Sequence, residues 1–233
     1  MLTRAVIGAS VVAGGWIAPA LAPVVPRVAA SLDVPRTFPA DDAVALTFDD
    51  GPHPQGTRAV LDALEAAGAV ATFFMVGERV LEHPQTAAEV ARRGHAIALH
   101  GHRHRTLLRL SPKTLASDLD TAHAVIADAT GVAPTLHRPP YGIYSWPALR
   151  AVRDRGWTPL LWSRWGHDWR RFTTPTKIAA ELTQDLAPGD VLLLHDADDY
   201  SARDSWRRTA AALPRILAAI HEAGLALAIP HGR

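Results

Sequence analysis

Two aspartates stand side by side in "TFDDGPHP", Thr47 to Pro54, directly after the apolar run "AVAL". Like charges repel, and a buried carboxylate without a partner is costly, so Asp49 and Asp50 call for a cation or a hydrogen-bonded counter-charge. Histidines offer the next piece. His100 and His104 in "HGHRH" are four residues apart, which sets two imidazoles on one side of a helical turn, within reach of one metal ion. Two histidines and a carboxylate make a three-ligand site with open positions for water, the pattern of hydrolytic zinc sites. The chain has no cysteine, hence no thiolate ligand, thiol nucleophile or disulfide, so a metal must rest on His, Asp or Glu.

Each of these residues has an ordinary explanation when it stands alone. Asp-Gly is common turn chemistry, a histidine-rich loop is often only solvated, and a single Arg138 or His195 reads as an ion pair or a hydrogen-bonded core residue. The elements that must position them change that balance. From Ala43 onward an amphipathic stretch, a glycine and a short apolar run recur, with the glycines at 68, 94, 131, 156, 189 and 224. Glycine just past a helix end takes the left-handed conformation without a Cβ penalty, so each one marks a helix stopping before a strand. With an opening strand at Ala43 to Phe48, this predicts seven strands alternating with helices, an α/β fold with a mainly parallel sheet. No G-x-G-x-x-G loop follows a strand, which favours a barrel over an open dinucleotide-binding sheet.

Function in such barrels gathers at the carboxyl ends of the strands. Five of the seven predicted ends carry ionisable groups: Asp49 and Asp50, "HGHRH", "RPPYG" from Arg138, "SRWGHDW" with Asp168, and His195 with Asp196. Trp162, Trp165 and Trp169 bunch beside Asp168 and offer aromatic faces of the kind that stack on sugar rings.

The remaining composition is that of one globular domain. At 233 residues and 48% hydrophobic content the chain can bury a large core undivided, and a net charge of +1 gives no general attraction to nucleic acid. The N-terminus differs. "MLTR" precedes an uncharged run from Ala5 to Val25, which reads as a signal peptide or membrane anchor over residues 1–25, followed by a linker, 26–42, and the domain, 43–233. Gly14, Gly15, Pro19 and Pro23 weaken the run as a helix, and Ala18 to Ala20 form a small-residue cleavage motif. An exported or membrane-anchored protein facing the cell envelope is expected, with membrane association through the N-terminus in the anchored case; a cytoplasmic protein with an apolar N-terminal arm is the alternative.

Taken together, "TFDDGP", "HGHRH", "RPPYG", "WGHDW" and "LLLHD" come in an order that resembles the polysaccharide deacetylases of carbohydrate esterase family four, the NodB homology domain, over about Ala43 to Ile229. The resemblance implies a distorted (β/α) barrel, in agreement with the glycine rhythm. It also implies that Asp50, His100 and His104 bind a divalent metal, zinc first, with cobalt or another ion as alternatives. By the same resemblance Asp49 is the general base with Arg138 as its orienting partner, and His195 is the general acid tuned by Asp168. The Tyr141 N–H helps hold the oxyanion, and Trp169 and Leu193 line the acetyl pocket. The implied activity is hydrolysis of N-acetyl groups on a polysaccharide or lipid-linked glycan. A deformylase acting on a lipid-linked amino sugar and a non-catalytic carbohydrate-binding protein are the alternatives, and the joint presence of a base and an acid argues against the latter.

The chain departs from the family pattern at two places. Gly101 stands where a Ser or Thr usually follows the first metal histidine, removing a hydrogen bond that steadies the loop, and Trp165 replaces the first Asp of the usual D-x-x-D-W. His102 is additional and reads as a residue behind the metal site or in solvent, since two ligands already have the right spacing. The segment Ala197 to Trp206 reads as an ordinary surface loop, with a border on the cleft as the alternative because it directly follows His195.

Overall fold

The computed structural model describes residues 18–231 of the 233, so residues 1–17, most of the predicted signal or anchor, lie outside the described residues. Among the described residues no helix is long and apolar enough to cross a membrane. Strands and helices alternate from β1, Ala43–Asp49, through α2, Gly56–Ala66, to β2, Thr72–Met75. Two short helices, α3 (Gly77–Glu82) and α4 (Pro84–Arg92), lead to β3, Ala96–Leu99, and the long α5, Pro112–Thr130, leads to β4, Leu136–His137. Then come α6 (Trp146–Asp154), β5 (Thr158–Pro159), β6 (Arg164–Trp165), α7 (Pro175–Thr183), β7 (Val191–His195), α8 (Ser205–Glu222) and β8 (Ala226–Leu227). A preceding short helix, α1, covers Pro26–Ser31.

All strand pairs named in the sheet are parallel, in the order β5-β4-β3-β2-β1-β7-β6, with β8 added beside β1. The two ends of this order, β5 and β6, do not pair with each other, which makes the structure a distorted, incompletely closed (β/α) barrel. The six rhythm glycines all take positive φ, between 59° and 82°. Gly131 shows the reason: it caps α5 at φ 72°, where its N–H donates to the Ala127 carbonyl, and a side chain there would strain the backbone. The strand β6 has no glycine before it and is absent from the rhythm; it pairs Arg164 and Trp165 with Leu192 and Leu193 of β7.

Side chains alternate across the sheet, so each strand feeds two cores. Val44, Leu46 and Phe48 pack under the outer helices, whereas Ala45 joins an inner cluster with Phe74, Ala98, Leu161 and Leu193. Thr47 and Asp49 follow Ala45 in the alternation and face the barrel interior.

The segment 26–42, expected as a linker, packs onto the barrel along much of its length. Ala29 and Val34 are buried in the inner cluster, the Arg36 Nε donates to the Trp162 carbonyl at 2.9 Å, and the Phe38 N–H donates to the Gly189 carbonyl at 3.0 Å. Just ahead of it, Ala22 is also buried, and the 3-10 turn Ala18–Leu21 lies against α6. The domain therefore includes a strap that begins well before residue 43.

Candidate functional site

A cleft of about 470 Å³ opens at the carboxyl ends of the strands and is lined by Asp49, Asp50, His100, His104, Tyr141, Trp169, Leu193 and His195, among others. Neighbouring residues on a strand normally point to opposite faces. Asp50 escapes this because its φ is 80°, a left-handed turn at the end of β1 that brings its carboxylate to the same cleft as Asp49. Such a conformation costs roughly 1–3 kcal/mol for a non-glycine residue and persists only where surrounding contacts impose it. Beside the following residue, the buried Asp196 carboxylate lies against Gly51 and accepts a hydrogen bond from Thr57 at 2.5 Å. Burial pushes the Asp196 carboxyl up to about 7.

Asp50 Oδ1 lies 3.4 Å from His100 Nε2 and 3.2 Å from His104 Nε2, yet it is buried and has no hydrogen-bond partner. Burial alone would raise this carboxyl, but the two imidazoles hold it well below the usual carboxylate range. The three atoms belong to one group able to hold a metal ion. Ligand atoms about 2.1 Å from a shared cation lie roughly 3.0–3.4 Å from one another, and both distances from Asp50 Oδ1 fall at that spacing, so the residues present suit a divalent ion. The His100 ring is already oriented for it. Its Nδ1 donates to the Arg138 carbonyl at 2.9 Å, which leaves the Nε2 lone pair toward Asp50.

On either side of the cluster stand a carboxylate and an imidazole, each held by a buried partner. The fully buried Arg138 donates to Asp49 Oδ1 at 2.7 Å, to Thr47 Oγ1 at 2.9 Å and to the carbonyls of Leu160 and Leu161 at 3.0 and 2.8 Å. Its guanidinium also lies over the Phe74 ring, 3.9 Å from the centroid. Asp49 Oδ2 remains on the side of the cluster, 3.9 Å from His100 Nε2. Across the cleft, Asp168 Oδ1 accepts from His195 Nδ1 at 2.9 Å, and Asp168 Oδ2 accepts from the His195 N–H at 2.7 Å and from Thr209 Oγ1 at 2.8 Å. Burial alone would lower the His195 pKa, but the adjacent Asp168 outweighs it, with help from Asp50 and Asp49, and raises it to about 10.

Aromatic residues build one wall. The rings of Trp162, Trp165, His167, Trp169 and His195 follow one another at centroid spacings of 5.1 to 5.7 Å. Trp165 is thus part of a continuous aromatic surface leading to His195. Tyr141 sits opposite at φ 62°, its ring edge-on to His104 at 4.6 Å.

The structure brings every predicted site residue to this cleft or directly behind it, and adds three that sequence reasoning missed. Tyr200 stacks on His104 at 4.1 Å between centroids and donates its hydroxyl to Glu78. Of the two readings of Ala197 to Trp206, surface loop or border of the cleft, the second describes Tyr200 and Ser201, which line the cleft; what the sequence did not single out is Tyr200 itself. Asp118 of α5, also unforeseen, accepts from the His102 N–H and from Arg105 Nη2, both at 2.8 Å. It pins the histidine loop at two points beside Gly101, and a Cβ on Gly101 would lie 3.5 Å from the same carboxylate. Thr209, which braces Asp168, carried no sequence signal. His102 is not in the metal cluster; its backbone serves the loop instead.

Comparison with known proteins adds independent weight. Residues 38–160 match the family described as polysaccharide deacetylase. The chain is 34% identical over 197 residues to a chitooligosaccharide deacetylase of Sinorhizobium fredii, covering 82% of this chain and 91% of that protein. It is 33% identical to a peptidoglycan-N-acetylglucosamine deacetylase of Bacillus cereus, covering 78% and 83%. Among solved structures, a family 4 carbohydrate esterase from Streptomyces lividans in complex with acetate is similar with a TM-score of 0.73 at 29% identity, over 82% of this chain and 94% of that one.

Proposed function

We propose, since the chain belongs to the polysaccharide deacetylase family, that Asp49 and His195 work as a base and an acid on opposite sides of a cation held by Asp50, His100 and His104. The protein is a metal-dependent hydrolase that removes N-acetyl groups from sugars, converting an acetamide and water to an amine and acetate. A divalent ion at the cluster, zinc in our reading, supplies a lowered water pKa and a Lewis acid for the acetyl carbonyl.

One observation carries the assignment: Asp49 and His195 each have one side locked by a buried counter-charge while the other is left for the cleft. Arg138 takes Asp49 Oδ1, so Oδ2 is the oxygen that accepts the proton of the attacking water. Asp168 takes His195 Nδ1, so the Nε2 proton is the one delivered to the leaving amine. The pKa near 10 keeps that imidazole cationic at neutral pH. The Tyr141 N–H, on a left-handed residue at the cleft, is our donor to the oxyanion. Trp169 and Leu193 line the acetyl end of the cleft.

The substrate class we propose is an N-acetylated glycan, in polysaccharide or on a lipid carrier, met in the cell envelope by a protein exported or anchored through its apolar N-terminal run. Acetate release is the decisive assay, with and without chelator, and with zinc or cobalt restored. Asp49→Asn should retain metal and lose hydrolysis by about 10²–10⁴-fold, whereas His104→Ala should lose both. Wild-type rates in Asp49→Asn would remove Asp49 as the base.

A further inference from the structure

Among the described residues eight large hydrophobic side chains are exposed, and five of them belong to the cleft lining or to the segments packed beside it: Leu21, Val24, Val25, Tyr141 and Trp146, termed the rim. Several contacts place them together. Val24 and Tyr141 both line the cleft mouth. Pro23 packs so closely on Gly142 that a Cβ there would come within 3.0 Å of its ring. The turn ending at Leu21 lies on α6, whose first residue is Trp146, and the Val25 N–H donates to the Leu21 carbonyl at 2.8 Å. Leu21 is 51% exposed, Val24 62%, Tyr141 57% and Trp146 48%.

A soluble glycan gains little from this rim. Tyr141 could stack on a sugar, but Leu21, Val24 and Val25 are aliphatic and offer no ring face and no hydrogen bond. Contiguous exposed apolar side chains mark interaction sites, and a tryptophan and a tyrosine flanking aliphatic residues are the composition that settles at a lipid–water boundary. The chain itself indicates the occupant: residues 5–17, uncharged throughout, lead directly into the rim at Ala18.

We propose that this rim docks on a lipid surface, so that the cleft receives an N-acetylated sugar carried on a membrane lipid. This rests on the deacetylase reading and narrows its substrate. Because Val24 and Tyr141 belong both to the rim and to the cleft mouth, a sugar at headgroup depth would meet Asp49 and His195 without the enzyme leaving the surface.

The absence of cysteine permits a direct test on the full chain. Val25→Cys and Trp146→Cys on the rim, with Leu81→Cys and Val132→Cys elsewhere, are reacted with a water-soluble maleimide with and without vesicles of phosphatidylethanolamine and phosphatidylglycerol. Vesicles should protect the rim positions by a large factor and leave the other two unchanged. Equal labelling at all four positions, protection already without vesicles, or no vesicle binding would each overturn the proposal; the second outcome would mean that the chain or another copy covers the rim itself. A second arm compares acetate release from an N-acetylglucosaminyl lipid in the same vesicles with release from soluble chitotetraose. The double variant Leu21→Ser with Trp146→Ser should slow the first several-fold and spare the second, and equal effects on both would also overturn docking. If wild type releases acetate from neither, the deacetylase reading fails and the labelling alone decides the docking.

Discussion

The inner end of the cleft and its outer rim are built in opposite ways. At the inner end the groups behind the base and the acid are fixed by several buried hydrogen bonds: Arg138 makes four, and Asp168 accepts three. Along the rim the surface is made by apolar contact, from the strap at residues 18–25 to the tryptophans of β6 and its neighbours, with few directional bonds. The difference separates two requirements. Proton transfer needs atoms held to a fraction of an ångström, which only saturated polar networks in a low-dielectric interior provide. Choosing a substrate needs shape and apolar area, which packing alone can supply and evolution can vary.

The comparison predicts that damage at the inner end falls on rate and damage along the rim on binding, and the largest expected effect tests the first half. Asp168→Asn removes the negative charge that keeps His195 cationic. Its deacetylation rate should fall about 100-fold at neutral pH, with the alkaline limb of the kcat profile moving to lower pH. The sign follows from the raised pKa: a histidine near 10 in the folded protein and about 6.5 unfolded lends stability fully below pH 6.5, and loses it as pH rises through 10. The melting temperature gap between wild type and Asp168→Asn should therefore be widest near pH 6 and close as pH approaches 10. A bound dication opposes the pull of Asp49 and Asp50 on His195, so the limb of the metal-loaded enzyme lies below the metal-free value. An unchanged limb would detach Asp168 from the acid.

Asp118 tests the inner end one step further out. It touches no predicted ligand side chain, only the His102 N–H and Arg105, so its effect must pass through the shape of the loop. Asp118→Ala should weaken metal affinity about 10- to 100-fold, the range for partners that orient ligands. Titration with cobalt, followed by its visible absorption, reads this without turnover. A rate restored to wild type at saturating metal would confirm a positioning role, and unchanged affinity would leave Asp118 a purely structural residue.

How much of this was legible in the sequence follows the same divide. Asp49, Asp50, His100, His104, Arg138 and His195 could be found because each lies at or just past a strand end that a glycine or an apolar run announces, and Asp168 because it stands among the bunched tryptophans of "WGHDW". Their chemistry also restricts the residue types that can serve. The parallel strands were legible for the same reason, since helix termination by glycine is local. Asp118 was not, because it acts from the middle of α5 across a distance of 16 residues in the chain, and an amphipathic helix carries many such carboxylates. Thr209 braces Asp168 across 41 residues and is equally silent. The strap misled because proline-rich sequence with alanines suggests a linker, and only the inner cluster that receives Ala22, Ala29 and Val34 shows otherwise. β6 escaped because two residues give no periodicity, and its partner β7 decides its conformation.

The smallest expected effect bears on the second half of the comparison. Trp165 is half-buried in the aromatic run, 5.7 Å from the Trp162 ring and 5.4 Å from His167, and it touches neither the metal cluster nor the Asp49–Arg138 pair. Trp165→Asp opens the wall with a polar group, so KM for a soluble chitooligomer should change several-fold while kcat stays near wild type. Such a split means that the residue binds ground and transition states alike. Trp165→Phe keeps an aromatic ring and should show less of the change, which distinguishes loss of an apolar face from loss of bulk. A fall in kcat with unaltered KM would place Trp165 with the acid at its end of the wall. The rim would then not be independent of the inner end, because the rings from Trp165 to His195 would transmit position as well as provide surface.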